Sequence, residues 1–188
     1  MRARLTDVAQ QWIAGALAPG GCALDATAGT GRDTLFLAHG VGVGGRVHAF
    51  DIQPQALART RRRVTEAGLA PCLRLHACCH TRICDRTGTD RFCAAMFNLG
   101  WLPGGDEATV TRPQTTVAAL TATARRLAPG GRLSVLAYRG HAGGAEEARA
   151  VAEWIATAQH GLVLQEQIES GSGDRPGPVF HALVCPES

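Results

Sequence analysis

Two patterns alternate along the chain. Short, mostly apolar runs end in polar or glycine-rich tips, and each is followed by a stretch whose apolar positions return at helical spacing. Thr6 is placed to cap a first helix to about Leu17, where Trp12, Ile13 and Leu17 share a face and Pro19-Gly20-Gly21 ends it. A strand over Cys22 to Ala26 precedes a helix from about Asp33 to His39 and a flexible Gly40 to Gly45 connection. A second strand, Arg46 to Asp51, leads into a helix opened by Pro54 and reaching Ala67. Strands follow at about Cys72 to Ala77 and at Phe92 to Phe97, the latter nearly continuous in apolar residues, as a buried parallel strand is. After glycine-rich Asn98 to Arg112 come a helix from Pro113 to Leu127, a strand from Arg132 to Tyr138, and a helix from Ala145 to about Gln159. The last strands are Leu162 to Ile168 and Val179 to Val184. Between them, Gly, Ser, Asp and Pro residues at 171–178 read as a mobile hairpin.

This alternation predicts an α/β fold: a doubly wound, seven-stranded, mostly parallel sheet with the last strand antiparallel. No internal repeat or low-complexity tract interrupts it, so residues 1–188 read as one domain, with the N-terminal helix inside 1–21.

Composition narrows the setting. Hydrophobic residues make up 45% of 188 positions, enough for a core and too many for a disordered chain. No apolar stretch reaches the ~18 residues of a membrane helix. Thr6, Asp7, Gln10 and Gln11 interrupt any N-terminal signal core, so a cytoplasmic protein is expected. The seven cysteines make no C-x-x-C pair, so they read as thiols, and no metal site is expected. Net charge is +3 and every cationic chain residue is arginine. Arg59, Arg61, Arg62 and Arg63 crowd one helix, either as a solvated face or as a phosphate-contacting patch.

The chemistry concentrates at strand tips. The run Asp25 to Gly31 joins the first strand to the following helix through a glycine turn, the geometry that brings backbone close to a cofactor. Asp51 ends the next strand, where a carboxylate accepts hydrogen bonds from ribose hydroxyls. Thr34 stands where a dinucleotide fingerprint has its third glycine, and Asp25 would repel a pyrophosphate but suit an ammonium. The reading is therefore S-adenosylmethionine, with an NAD-dependent oxidoreductase disfavoured. Asn98 ends a buried strand with an amide able to orient an acceptor N–H, and Trp101 is placed to stack on a base. His80 and His141 are loop histidines able to act as bases at neutral pH. Arg61 to Arg63, Arg112 and Arg139 are candidates for phosphate contacts. Three of these sites have plain alternatives: Asn98 as a turn cap, Trp101 as core and the histidines as polar surface.

The segments DATAGTGRDTLFLA, FDIQPQAL, FNLGWLPGGD, TRPQTTVAAL and YRGHAGG together resemble the small bacterial methyltransferases once labelled rRNA methylases, a family now associated with tRNA 5-aminomethyl-2-thiouridine methylation at the wobble position. The resemblance runs from about Asp25 to Val151, and FNLGWLPGGD is its most specific part. It implies a Rossmann-like class I methyltransferase fold, S-adenosylmethionine as donor and a wobble-uridine exocyclic amine in the tRNA anticodon stem-loop as acceptor. By that resemblance Thr30, Asp33, Asp51, Gln53, Cys79 and His80, with the turn residues Asp25, Thr27, Gly29 and Gly31, contact the donor. Asn98 and His141 would be catalytic, and Trp101, Asp106, Arg112 and Arg139 would border the acceptor. The chain departs from the family's usual Asn, His and acid at Thr30, Arg32 and Cys78. An rRNA substrate, a small-molecule amine substrate or a donor-binding module without turnover remain alternatives, and a homodimer is compatible with so small a domain facing a large substrate.

Overall fold

A computed structural model describes residues 4–101, 110–172 and 175–187. In chain order the elements are α1 (Leu5–Ala14), β1 (Cys22–Asp25), α2 (Arg32–Val41), β2 (Arg46–Asp51), α3 (Pro54–Glu66), β3 (Leu73–Ala77), α4 (Ile83–Arg86), β4 (Phe92–Leu99), α5 (Pro113–Ala124), β5 (Leu127–Ala137), α6 (Gly144–Ala156), β6 (Val163–Ser172) and β7 (Arg175–Val184). The strands form one sheet in the order β3-β2-β1-β4-β5-β7-β6. The first five run parallel, and β7 is antiparallel to both β5 and β6, as the sequence pattern predicts.

Strand side chains alternate between two cores, as a pleated strand requires. In β4, Ala95, Phe97 and Leu99 pack on one face with Leu120 of α5 and Val151 and Trp154 of α6. Ala94 and Met96 pack on the other with Ile13 of α1, Leu37 of α2 and Val64 of α3. Phe50, Phe92, Phe97 and Phe180 are fully buried, each stabilising the fold by about 1.5–3 kcal/mol.

The structure corrects several expected boundaries. Thr6 does not cap α1; the helix starts at Leu5, Arg4 gives no side-chain cap, and Thr6 turns to a cavity instead. The helix expected to reach Leu127 ends at Ala124, and Ala128-Pro129-Gly130-Gly131, expected to lie between helix and strand, falls within β5, which starts at Leu127 opposite Phe92. A register shift between Phe92 and Ala94 absorbs the excursion, and Gly130 N and Gly131 O are satisfied by Cys185 at 3.0 and 2.9 Å. The final hairpin strands reach Ser172 and restart at Arg175, so pairing extends further into the Gly/Ser/Pro stretch than composition suggests. The order of strands reverses between β1 and β4, and ligand sites of open parallel sheets lie outside the carboxyl ends at that point.

Candidate active site

A cavity of about 850 Å³ opens at the reversal point. It is bordered by the tips of β1, β2 and β4, by the segment after β3, and by Thr6, Asp7 and Gln10 of α1. The turn after β1 is built around two carboxylates. Asp25 is 1% exposed; its oxygens accept from Thr27 N at 3.1 Å and Thr34 Oγ1 at 2.5 Å. Asp51 accepts from Gly29 N and Gln53 N, both at 2.9 Å, and so ties the β1 and β2 tips together. Each Asp51 oxygen keeps a lone pair for a further donor. Gly29 and Gly31 both take positive φ, 52° and 78°. At Gly31 a Cβ would come within 2.7 Å of the Thr60 backbone, so only glycine lets α3 pack this closely.

Asp33 lies across the cavity floor. Gln10 Nε2 donates to its Oδ1 at 2.7 Å and Asn98 Nδ2 to its Oδ2 at 3.3 Å. Because an ionised carboxylate only accepts, this contact fixes the Asn98 amide with its NH₂ on Asp33 and its oxygen available for another donor. The Asn98 backbone N–H donates to Thr27 Oγ1 at 2.8 Å, locking the β1 and β4 tips in register. Burial and the neighbouring Asp33 push the Asp25 carboxyl up to about 7, against the opposing pull of the Thr34 hydroxyl. Burial and the Asp33 charge also raise the Tyr138 phenol, which faces the same cavity from the end of β5. His80 is buried in the cavity wall, and burial lowers its pKa, with an Ala26 backbone hydrogen bond opposing. Its Nε2 has no partner among the described residues.

Of the residues the sequence singles out, Thr27, Gly29, Thr30, Asp33, Asp51, Gln53, Cys79, His80, Asn98, Trp101 and Arg112 line the cavity. Four do not. Asp25 sits behind the turn, its carboxylate committed to Thr27 and Thr34, so it shapes the turn rather than facing a ligand's ammonium. Gly31 packs against α3. Arg139 is turned to the β6–β7 hairpin, donating to Gly177 O, Glu169 Oε2 and Ser170 O at 2.8, 3.0 and 3.1 Å. His141 stands behind Trp101, its ring edge-on at 5.1 Å between centroids, with Nδ1 3.0 Å from Ala142 O. Asp106 lies outside the described residues. Arg63, from the arginine-rich helix, reaches the turn and donates to Thr30 O at 3.1 Å, whereas Arg62 pairs with Glu66.

Sequence reading missed α1 as a cavity wall, and Thr6 and Gln10 four residues apart on one helix face were the available signal. It also missed Tyr138, the chain's one tyrosine, and buried Glu147, for which no local signal existed.

A second polar cluster lies toward the amino ends of β1 and β2. Cys22, His48 and Asp90 bring possible metal-ligating atoms within 4.8 Å of one another. Those groups already answer one another. Asp90 takes Arg46 Nη1 at 2.7 Å and His48 Nε2 at 2.9 Å, and His48 Nδ1 meets His76 Nε2 at 2.9 Å. Burial and the Asp90 charge push the Cys22 thiol up to about 12, which opposes metal-binding thiolate.

Proteins similar to this chain include the following three. The "tRNA (mnm(5)s(2)U34)-methyltransferase, chloroplastic" of Arabidopsis thaliana is 36% identical over 159 residues, 80% of this chain, which spans 58% of that relative's length. A crystal structure of a "putative rRNA-methylase" from Clostridium thermocellum has a TM-score of 0.91 at 32% identity and covers 98% of both chains. A "putative methyltransferase" of Streptococcus mutans in complex with SAH has a TM-score of 0.86 at 30% identity, over 98% of this chain and 99% of its own. The fold is that of class I methyltransferases. The family model described as "Putative rRNA methylase" matches residues 47–170, and this chain belongs to that family.

Proposed function

We propose that the chain is an S-adenosylmethionine-dependent methyltransferase acting on the exocyclic amine of 5-aminomethyl(-2-thio)uridine at the tRNA wobble position. The observation that carries this reading is one cavity joining a turn clamped by Asp51 to a tip bearing Asn98 and Trp101. The S. mutans relative, solved with SAH, supports the donor, and the name of the Arabidopsis relative supports the acceptor.

The residues fit the donor. Glycines at positive φ open the turn, Asp51 keeps lone pairs for ribose hydroxyls, and His80 lines the wall with an Nε2 that is buried and without a partner among the described residues. Asp33 and Asp51 make this side of the cavity favourable to positive charge. S-adenosylmethionine, when bound, supplies an electrophilic methyl group on a sulfonium. The protein's part is placement, which contributes on the order of 7–11 kcal/mol where geometry is well set.

Asn98 is held by Asp33 so that its oxygen can accept the acceptor's N–H and turn the nitrogen lone pair toward the methyl group. Trp101, 39% exposed at the mouth, offers a face for a base swung out of the anticodon stack. Arg32, Arg63 and Arg112 lie exposed at or beside the mouth and would meet phosphates; no carboxylate pairs with them among the described residues. His141 stands one ring behind Trp101, so it would support the base platform rather than touch the nitrogen. The seven thiols, none in a disulfide, are consistent with a reducing compartment such as the cytoplasm.

Mass spectrometry of tRNA nucleosides from cells lacking the protein tests the reading. One methyl group should disappear from a wobble uridine while the aminomethyl precursor accumulates, and purified protein with donor should restore it. An unchanged nucleoside profile, with turnover on free amines instead, would overturn the tRNA assignment.

A further inference from the structure

Thr111 and Thr116, on either side of the start of α5, have no part yet in the chemistry, and a single buried carboxylate on α6 joins them. Glu147 of α6 is 1% exposed. Its Oε2 accepts from Thr111 Oγ1 and its Oε1 from Thr116 Oγ1, both at 2.6 Å, the length of charge-assisted bonds. Thr111 Oγ1 also accepts the Gly100 N–H at 2.9 Å, and Thr111 N donates back to Gly100 O at 3.1 Å. Next to this tie Trp101 and Val110 form an antiparallel bridge. Gly100 and Thr111, with Trp101 and Val110 beside them in the cavity lining, are thus fastened together, and the fastening hangs from Glu147.

The same helix start holds the platform from below. Gly144 N donates to His141 O at 3.0 Å, and His141 packs edge-on against Trp101. A Cβ at Gly144 would come within 2.3 Å of Tyr138 O, so glycine is required for this close seat. Among the described residues the side-chain partners of this buried carboxyl group are two hydroxyls, a costly arrangement on a helix face that a leucine could fill. The charge is explained by what it orients.

We propose that Glu147 is a positioning residue for the acceptor: through Thr111 it sets Gly100 and Trp101 at the acceptor side of the cavity and leaves the donor turn untouched. The proposal rests on the reading of this cavity as a methyl-transfer site. Thr116 provides the internal control, because it shares Glu147 but has no link to Gly100 and does not line the cavity.

The test compares Glu147→Gln, Thr111→Val, Thr111→Ser and Thr116→Val in the full chain. Glu147→Gln and Thr111→Val should lower kcat/KM for tRNA by about 10- to 100-fold, as misplaced acceptors do, with donor affinity by calorimetry within about twofold. Thr111→Ser should recover most of the loss. Thr116→Val should lower the melting temperature about as much as Thr111→Val and leave kcat/KM near the wild-type value. Equal kinetic losses in the two valine variants, or wild-type kinetics in Glu147→Gln, would overturn the positioning role. If the wild-type protein does not methylate tRNA, the substrate reading fails, and hydrogen exchange still reads the latch. In Glu147→Gln the Gly100 and Thr111 amides should then exchange faster while Gly29 is unchanged; equal protection would sink it.

Discussion

Both ends of β1 and β2 carry polar, titratable residues, and the two ends differ in what those residues do. At the amino ends, Cys22, Arg46 and His48 meet Asp90; at the carboxyl ends, Asp25 and Asp51 meet a glycine turn. Each polar group of the first cluster finds a side chain: Arg46 and His48 on Asp90, and His76 on the second nitrogen of His48. The carboxylates of the second cluster are held mostly by backbone N–H groups, and among the described residues lone pairs of Asp51 and the Nε2 of His80 remain unanswered in residues that line a cavity. Charge alone therefore does not mark a site. What marks it is polar capacity left open where the chain reverses strand order and leaves a crevice.

The sharpest way to break this contrast is to remove one carboxylate from each end. Asp51→Ala deletes the acceptor for Gly29 N and Gln53 N, and donor affinity should fall by about 3–4 kcal/mol, roughly 100- to 1,000-fold. Asn98→Ala should keep donor affinity within about threefold and lose turnover by about 100-fold. Calorimetry with donor and single-turnover assays separate the two outcomes. Wild-type donor affinity in Asp51→Ala would remove Asp51 from the donor site and level the two ends.

At the amino edge, Asp90→Ala leaves Arg46 and His48 without their acid. Arg46 is half exposed, so solvent screens much of the loss, and stability should drop by about 1–2 kcal/mol. Donor affinity should not change. Urea denaturation beside calorimetry checks this, and weakened donor binding in Asp90→Ala would show that the edge cluster reaches the site after all.

The fold was legible because period and punctuation agree. β4 reads as a continuous apolar run and packs on both faces, and Pro54 and Pro113 open helices where they stand. The turn was legible because Asp25, the glycines and Asp51 fall at adjacent strand tips. Orientation was not. Asp25 and Asp51 look alike in sequence, yet Thr34 draws one carboxylate behind the turn while Gly29 and Gln53 hold the other at its mouth. Arg139 likewise follows a strand tip and then turns to a hairpin that pairs with β5 only through β7. Such choices depend on partners far apart in sequence, as with Glu147 and Thr111, 36 residues apart.

A pair of histidines carries the contrast to single atoms. His80 Nε2 and both ring nitrogens of His181 have no partner among the described residues, and both side chains are buried. His80 borders the cavity, and a turn of its ring would bring the buried nitrogen to a ligand. His181 lies in β7 opposite Val135 and Gln167, outside the cavity lining, where an open nitrogen only costs desolvation. Burial pushes its pKa down from 6.5 to about 4, opposed by Glu169. A folded pKa below the unfolded one makes a stability contribution that is present above pH 6.5 and lost as pH falls toward 4. His181→Leu should therefore raise stability at neutral pH by about 1–2 kcal/mol and flatten part of the acid decline, since His76, also pushed down to about 4, keeps its share. Denaturation curves across that pH window measure both effects. Donor affinity should be unchanged, whereas His80→Leu should weaken it. Unchanged neutral stability together with an unchanged acid slope would mean that His181 is hydrated in solution, and an open nitrogen would then no longer distinguish the cavity wall from the packed sheet.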